Sequence, residues 1–165
     1  MPITQNVLRR AAQTSPFFKS FSHLPGQPTA FLCHSHLDRI LAEGLQHLLK
    51  DQGWNLYIDW QDHEMPPTPN RETACRIQLG IGASDWFLFL ATESSTASRW
   101  CPWEIGFADG RKDVNRIVVI PTVDDRGRHY GNEYLQLYRH VEPTALGRLQ
   151  FFEPGAILGK ALGSL

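Results

Sequence analysis

What most constrains this chain is a series of short, strand-length apolar runs separated by stretches of helical periodicity. Thr29–Cys33 (TAFLC), 54–59 (WNLYID), Trp86–Ala91 (WFLFLA) and 115–121 (NRIVVIP) are too short for buried helices, and three of them are almost continuously apolar. Between the first two, Asp38 opens a stretch in which Ile40, Leu41, Leu45, Leu48 and Leu49 mark one helix face, with a stop at Gly53. Asn70 can cap a second helix through Leu79, ending at Gly80 and Gly82. A third spans about 98–110. Strand and helix in alternation predict a parallel sheet covered on both faces, so the fold class is α/β. In such sheets ligands bind outside the carboxyl ends of the strands, which directs attention to 34–36, to 59–69 and to the turn after Ala91.

The remaining segments carry weaker signals. Residues 1–28 read as an N-terminal extension with a short helix around 7–13, then Ser15-Pro16 and the Leu-Pro-Gly-Gln-Pro turn; 29–165 read as one domain. The segment 60–69 contains Met65-Pro66-Pro67-Thr68-Pro69 and cannot be regular structure. Residues 122–147 are polar and show no period, 148–152 suit a last edge strand, and 156–162 a terminal helical turn.

Composition excludes several classes. Lys and Arg number 16 against 17 Asp and Glu, a net charge of −1, which gives no support for a nucleic-acid or anionic-membrane binder. Cys33, Cys75 and Cys101 are odd in number and form no CxxC pair, so neither a disulfide framework nor a zinc site is indicated and a reducing compartment is expected. The longest apolar run, 86–91, is far short of a membrane span, and 1–28 has no apolar core like that of a signal peptide. A cytoplasmic protein is expected.

Two constellations carry chemistry. His34, Ser35, His36 and Asp38 lie where the first strand turns into the first helix. Such a turn can face a phosphate or ribose, or it can simply supply an N-cap from Ser35 or Asp38. His34 and His36 would share a strand face, but no third ligand accompanies them and no metal is expected. Asp59 and Trp60 end the second strand ahead of the proline-rich loop. Further on, Trp100 and Glu104 stand four apart near a helix start that Pro102 must occupy, so an aromatic face and a carboxylate lie one turn apart. Taken alone, Trp100 reads equally as a packing residue and Glu104 as a first-turn acid complementing the helix dipole.

These residues match a family. Phe31-Leu32-Cys33-His34-Ser35-His36-Leu37-Asp38 resembles the first-strand signature of TIR (Toll/interleukin-1 receptor) domains, an apolar run followed by Ser-His-Ser and Asp, with His34-Ser35-His36 departing from that triplet. Ser98-Arg99-Trp100-Cys101-Pro102-Trp103-Glu104 resembles their S-x-W-C-x-x-E helix. The resemblance covers roughly 29–121. It implies a flavodoxin-like, three-layer domain with a central, mainly parallel five-stranded sheet. It places Glu104 on the carboxylate with which enzymatic members cleave the nicotinamide–ribose bond of NAD, and Trp100 on their nucleotide-facing aromatic. His34, Ser35, His36, Asp38, Asp59 and Trp60 follow as substrate-binding positions, and 60–69 occupies the place of a loop that often completes a neighbour's site.

The resemblance extends to stand-alone bacterial members of antiphage systems such as Thoeris. It implies NAD as substrate with no further cofactor, self-association through TIR–TIR contacts, and a separate effector that receives the nucleotide product. Hydrolysis to ADP-ribose and cyclisation both remain open at this point. So does a non-catalytic TIR module that only assembles with other TIR domains. A plain nucleotide binder is a more distant reading, because Gly80-Ile81-Gly82 precedes a strand and makes no phosphate loop.

Overall fold

The alternation seen in the sequence becomes a twisted sheet with helices on both faces, in a computed structural model that describes residues 1–14 and 26–162. In chain order the elements are β1 (Ile3–Thr4), α1 (Gln5–Thr14), β2 (Thr29–Cys33), α2 (Arg39–Lys50), β3 (Asn55–Tyr57), α3 (Arg71–Ala83), β4 (Trp86–Ala91), α4 (Glu93–Thr96), α5 (Cys101–Asp109), β5 (Ile117–Val123), β6 (His129–Tyr130), β7 (Arg139–Pro143), β8 (Leu149–Phe152) and β9 (Lys160–Ala161). The sheet runs β3-β2-β4-β5-β7-β8-β9. Its first five strands pair in parallel, and β8 and β9 extend it as an antiparallel edge. Numbering only the five parallel strands, the order is 2-1-3-4-5, the flavodoxin-like arrangement. Its switch point falls between β2 and β4.

Side-chain alternation along the strands builds two cores. Ala30, Leu32, Leu88, Leu90, Val118 and Ile120 face Leu8 of α1 and Leu41, Leu45 and Leu49 of α2. Phe31, Cys33, Phe87, Phe89, Ile117 and Val119 face Ile77 and Ile81 of α3 and Cys101, Ile105 and Ala108 of α5. Strands buried on both faces explain why β2, β4 and β5 read as continuous apolar runs.

Several expectations need correction. Residues 1–14 are part of this body: Ile3 and Leu8 are fully buried, and β1 pairs with the end of β5 at Thr122 and Val123. The Ser15-Pro16 turn lies outside the described residues. Ile40 is exposed on α2, whose buried face is Leu41, Ala42, Leu45 and Leu49. α3 does not stop at Leu79 but continues to Ala83. Gly80 is a packing glycine there, since a Cβ would come within 3.0 Å of the Tyr57 ring and 3.2 Å of Phe31. The aperiodic 122–147 region holds the fifth parallel strand, β7, whose Arg-His-Val-Glu-Pro sequence buries only Val141. Residues 149–152 form an antiparallel strand beyond it. In place of a terminal helical turn at 156–162, Lys160–Ala161 pairs with β8. No helix among the described residues is long and apolar enough to cross a membrane.

Candidate active site

α5 begins beside the carboxyl end of β2, at the switch point. The Ser98 hydroxyl accepts hydrogen bonds from the N–H groups of Trp100 (3.1 Å) and Cys101 (3.3 Å), and Pro102 sits in the first turn, where no N–H is needed. The Glu104 N–H closes the first turn on the Trp100 carbonyl at 2.9 Å. Trp100 and Glu104 are therefore one turn apart. Trp100 is half-buried and meets Trp103 edge-on, ring centroids 5.6 Å apart.

Glu104 is not the surface acid that a first-turn position suggests. It retains 5% of its exposure. Burial pushes its carboxyl up to about 7; the hydrogen bond from the Cys33 thiol opposes this shift, and the nearby charge of Asp59 adds to it. A helix N-terminus favours a carboxylate, but here desolvation wins. Cys33 is itself fully buried, with its thiol also directed at the Cys101 carbonyl at 3.8 Å. Burial, first of all, pushes that thiol well up, so it stays a donor to Glu104. A carboxyl that titrates near neutrality at the carboxyl edge of a parallel sheet is a candidate functional group.

The other positions divide. His34 is buried at the end of β2, with Nε2 3.9 Å from Oδ1 of Asp59. Glu104, Cys33, His34 and Asp59 thus gather at one edge. Ser35 is committed locally, capping the 3-10 turn 36–38 by accepting from the Leu37 N–H at 3.3 Å. Asp38 makes no cap; its buried carboxylate accepts from the Thr92 hydroxyl at 2.6 Å, tying the β2–α2 turn to the β4–α4 turn. His36 opens the 3-10 turn and is exposed, so it shares no strand face with His34. Trp60 leans on the α2-side core with the Arg39 guanidinium 5.2 Å above its ring. Among the described residues no group of three or more His, Cys, Asp or Glu could hold a metal ion.

Two contributors were not singled out from the sequence. Cys33 reads as one more apolar strand residue, and only its place directly before His34 hints at the site. Thr92 directly follows β4, in the turn after Ala91, and its residue type carried no further signal. Tyr134 lies near Cys33 and Cys101, which help raise its hydroxyl after burial, the larger cause. A hollow of about 450 Å³ lies between β3 and α3, lined by residues that include Tyr57, Asp62, Arg76 and Leu79. Glu104, His34, Asp59 and Trp100 do not line it, so the titratable groups, not this hollow, mark the candidate site.

The Asp38–Thr92 bond gives a direct test of the scaffold. Thr92→Val keeps the shape but leaves a buried carboxylate without its closest donor. We expect a loss of about 1.5–3 kcal/mol in urea unfolding at pH 7. A loss below about 0.5 kcal/mol would show that the bond does not hold the two turns together.

The fold and this edge define a class, and comparison with known proteins agrees. A family model described as TIR domain matches residues 30–150; the chain belongs to the TIR domain family. It is also 32% identical over 117 residues to the "Probable 3' cyclic ADP-D-ribose synthase ThsB'" of Bacillus cereus (strain MSX-D12), a match covering 67% of this chain and 58% of that protein.

Proposed function

We propose that this chain cleaves the nicotinamide–ribose bond of NAD as part of a bacterial antiphage response, with Glu104 as the catalytic carboxylate. The observation that carries this reading is the buried Glu104 carboxyl, raised to about 7, at the switch point of a TIR domain. In NAD the leaving nicotinamide is cationic. When the C1–N bond breaks, its electron pair goes to the ring nitrogen and nicotinamide departs neutral, so no acid need protonate it. Positive charge develops on the ribose C1 and ring oxygen, and one ionised carboxylate in a water-poor setting can stabilise it. Trp100 supplies a flat apolar face one turn away, which would position the nucleotide and exclude water.

The attacking group fixes the product. Water forms a C1–O bond, releases a proton and gives ADP-ribose. A hydroxyl or adenine atom of the same molecule gives a cyclic ADP-ribose instead. Similarity to a protein named as a 3' cyclic ADP-D-ribose synthase favours the second. A cyclic nucleotide is a signal, so we further propose a separate effector that receives it in the cytoplasm. Separation of the products formed from NAD by the pure protein tests this reading: nicotinamide with a cyclic product supports it, and intact NAD opposes it.

We also propose that self-association through TIR–TIR contacts controls the activity. Glu104 is all but closed off in a single chain, and the proline-rich segment 60–69 directly follows Asp59 at the same edge. Specific activity should therefore rise with protein concentration or with a crowding agent. A constant specific activity from a protein that stays monomeric throughout would overturn the assembly proposal.

A further inference from the structure

The His34 imidazole has one nitrogen accounted for and one not. Nδ1 lies 3.1 Å from the Leu32 carbonyl oxygen, which can only accept, so Nδ1 carries a proton. In the neutral ring Nε2 then presents a bare lone pair. That atom is buried and has no hydrogen-bond partner among the described residues, on a side chain only 2% exposed. Facing it at 3.9 Å is Oδ1 of Asp59, which accepts the Trp60 N–H at 2.8 Å and has lone-pair capacity to spare. Two acceptors thus confront each other across a gap too wide for a direct hydrogen bond. The buried Nε2 calls for a donor, and the partly exposed Asp59 oxygen leaves the side from which one can enter.

We infer that His34 Nε2 and Asp59 Oδ1 together receive the two adjacent hydroxyls of the ribose whose glycosidic bond is broken, one hydroxyl donating to each. The inference rests on the NAD-cleaving reading. A lone hydroxyl has one proton and can serve only one of the two acceptors. A cis-diol brings two, on neighbouring oxygens, and suits a gap of this width. Asp59 also links the pair to the reaction centre, because its charge acts on Glu104. One sugar ring can then lie with C1 toward Glu104 and its diol toward His34 and Asp59. Held this way, the ribose keeps its orientation while the nicotinamide leaves.

The test uses the full chain, NAD, and NAD analogues whose nicotinamide-side ribose lacks the 2- or the 3-hydroxyl. Wild-type protein should lose about 10–100-fold in kcat/KM on removal of the hydroxyl that meets His34. His34→Phe keeps a ring of similar shape without the acceptor; on it NAD should fall toward the deoxy analogue, and the discrimination should vanish. His34→Gln, whose amide oxygen can reach the position of Nε2, should restore part of it. Asp59→Ala, at a partly exposed position, should erase discrimination at the other hydroxyl and serves if His34→Phe does not fold. Calorimetric binding of ADP-ribose, which has both riboses and no nicotinamide, should be about tenfold weaker or worse in His34→Phe. If the folded variants discriminate like the wild type, the diol assignment is wrong. It is equally wrong if ADP-ribose binding is unchanged while only NAD turnover falls, since the carboxamide would then be the partner. Absence of NAD cleavage by wild-type protein would count against the proposed function, while ADP-ribose binding would still decide whether this pair reads a ribose.

Discussion

Glu104→Gln protein is expected to fold, to be more stable than the wild type at pH 8, and to lose NAD turnover by about 10²–10³-fold. The rate loss follows if, as proposed, the Glu104 charge meets the developing ribose cation. The gain in stability follows from burial. The folded carboxyl titrates at about 7, above its ordinary value of 4.5. A raised folded value means that the native state holds its proton more tightly than the unfolded chain does. The associated stability is fully present below about 4.5 and is lost as pH rises through about 7, a total on the order of 3 kcal/mol. Glutamine has no such dependence, and its amide oxygen can still accept from the Cys33 thiol. Wild type and variant should therefore have similar unfolding free energies near pH 4 and separate in the variant's favour up to pH 8. Wild-type activity should rise with pH across the same window, with a rate at pH 6 about tenfold below its plateau. A variant that is less stable at pH 8, or as active as the wild type, would contradict the assignment of a buried, ionisable catalytic carboxylate.

The largest structural effect is expected at Gly44, where α1 crosses α2. A Cβ at Gly44 would lie 1.9 Å from the Leu8 carbonyl oxygen and 2.6 Å from its carbon, both main-chain atoms of the neighbouring helix. In an open helix, Gly→Ala stabilises by about 0.5–1 kcal/mol. Here the same change must drive α1 outward, exposing Leu8 and loosening the pairing of β1 with β5. We expect Gly44→Ala to destabilise by about 2–3 kcal/mol, which for a domain of this size lowers Tm by roughly 5–10 °C. An unchanged or higher Tm would mean that α1 does not dock there. Some effect on the site is also expected. Gln5 donates to the Thr122 hydroxyl at 3.2 Å, and that hydroxyl donates to the Ala91 carbonyl at 2.5 Å, at the end of β4 beside Thr92.

The parts of the fold that were legible in the sequence are those where burial leaves a one-dimensional trace. β2, β4 and β5 are apolar on both faces and could be bounded closely. The Asn70 cap was legible because an amide oxygen ahead of a periodic stretch has one plain use; in the structure it accepts from Glu72 and Thr73, and the Thr73 hydroxyl accepts in return. β7 left no such trace, because at the junction with the antiparallel edge only one of its side chains is buried. Gly80 misled for a related reason. A glycine can end a helix or let it approach a sheet, and only the Phe31 and Tyr57 rings decide between the two.

At the site, the spacing of Trp100 and Glu104 could be read directly, since helical geometry fixes it. The environment of Glu104 could not, because it comes from Cys33, distant in sequence and indistinguishable from its apolar neighbours until the strand is placed. The same holds for Asp38. It looked like a cap or a ligand, and its actual partner, Thr92, is brought close only by the pairing of β2 with β4.

We propose above all that this TIR domain breaks the glycosidic bond of NAD with Glu104. Its most direct test is the release of free nicotinamide from NAD, followed by chromatography, at protein concentrations high enough to favour assembly, for wild type and folded Glu104→Gln side by side. Steady nicotinamide release by the wild type is expected, accompanied by a cyclic ADP-ribose or ADP-ribose, and at least a hundredfold less by the variant. Equal release by the two proteins, or none by an assembled wild type, would contradict it and leave a TIR module that acts by binding alone.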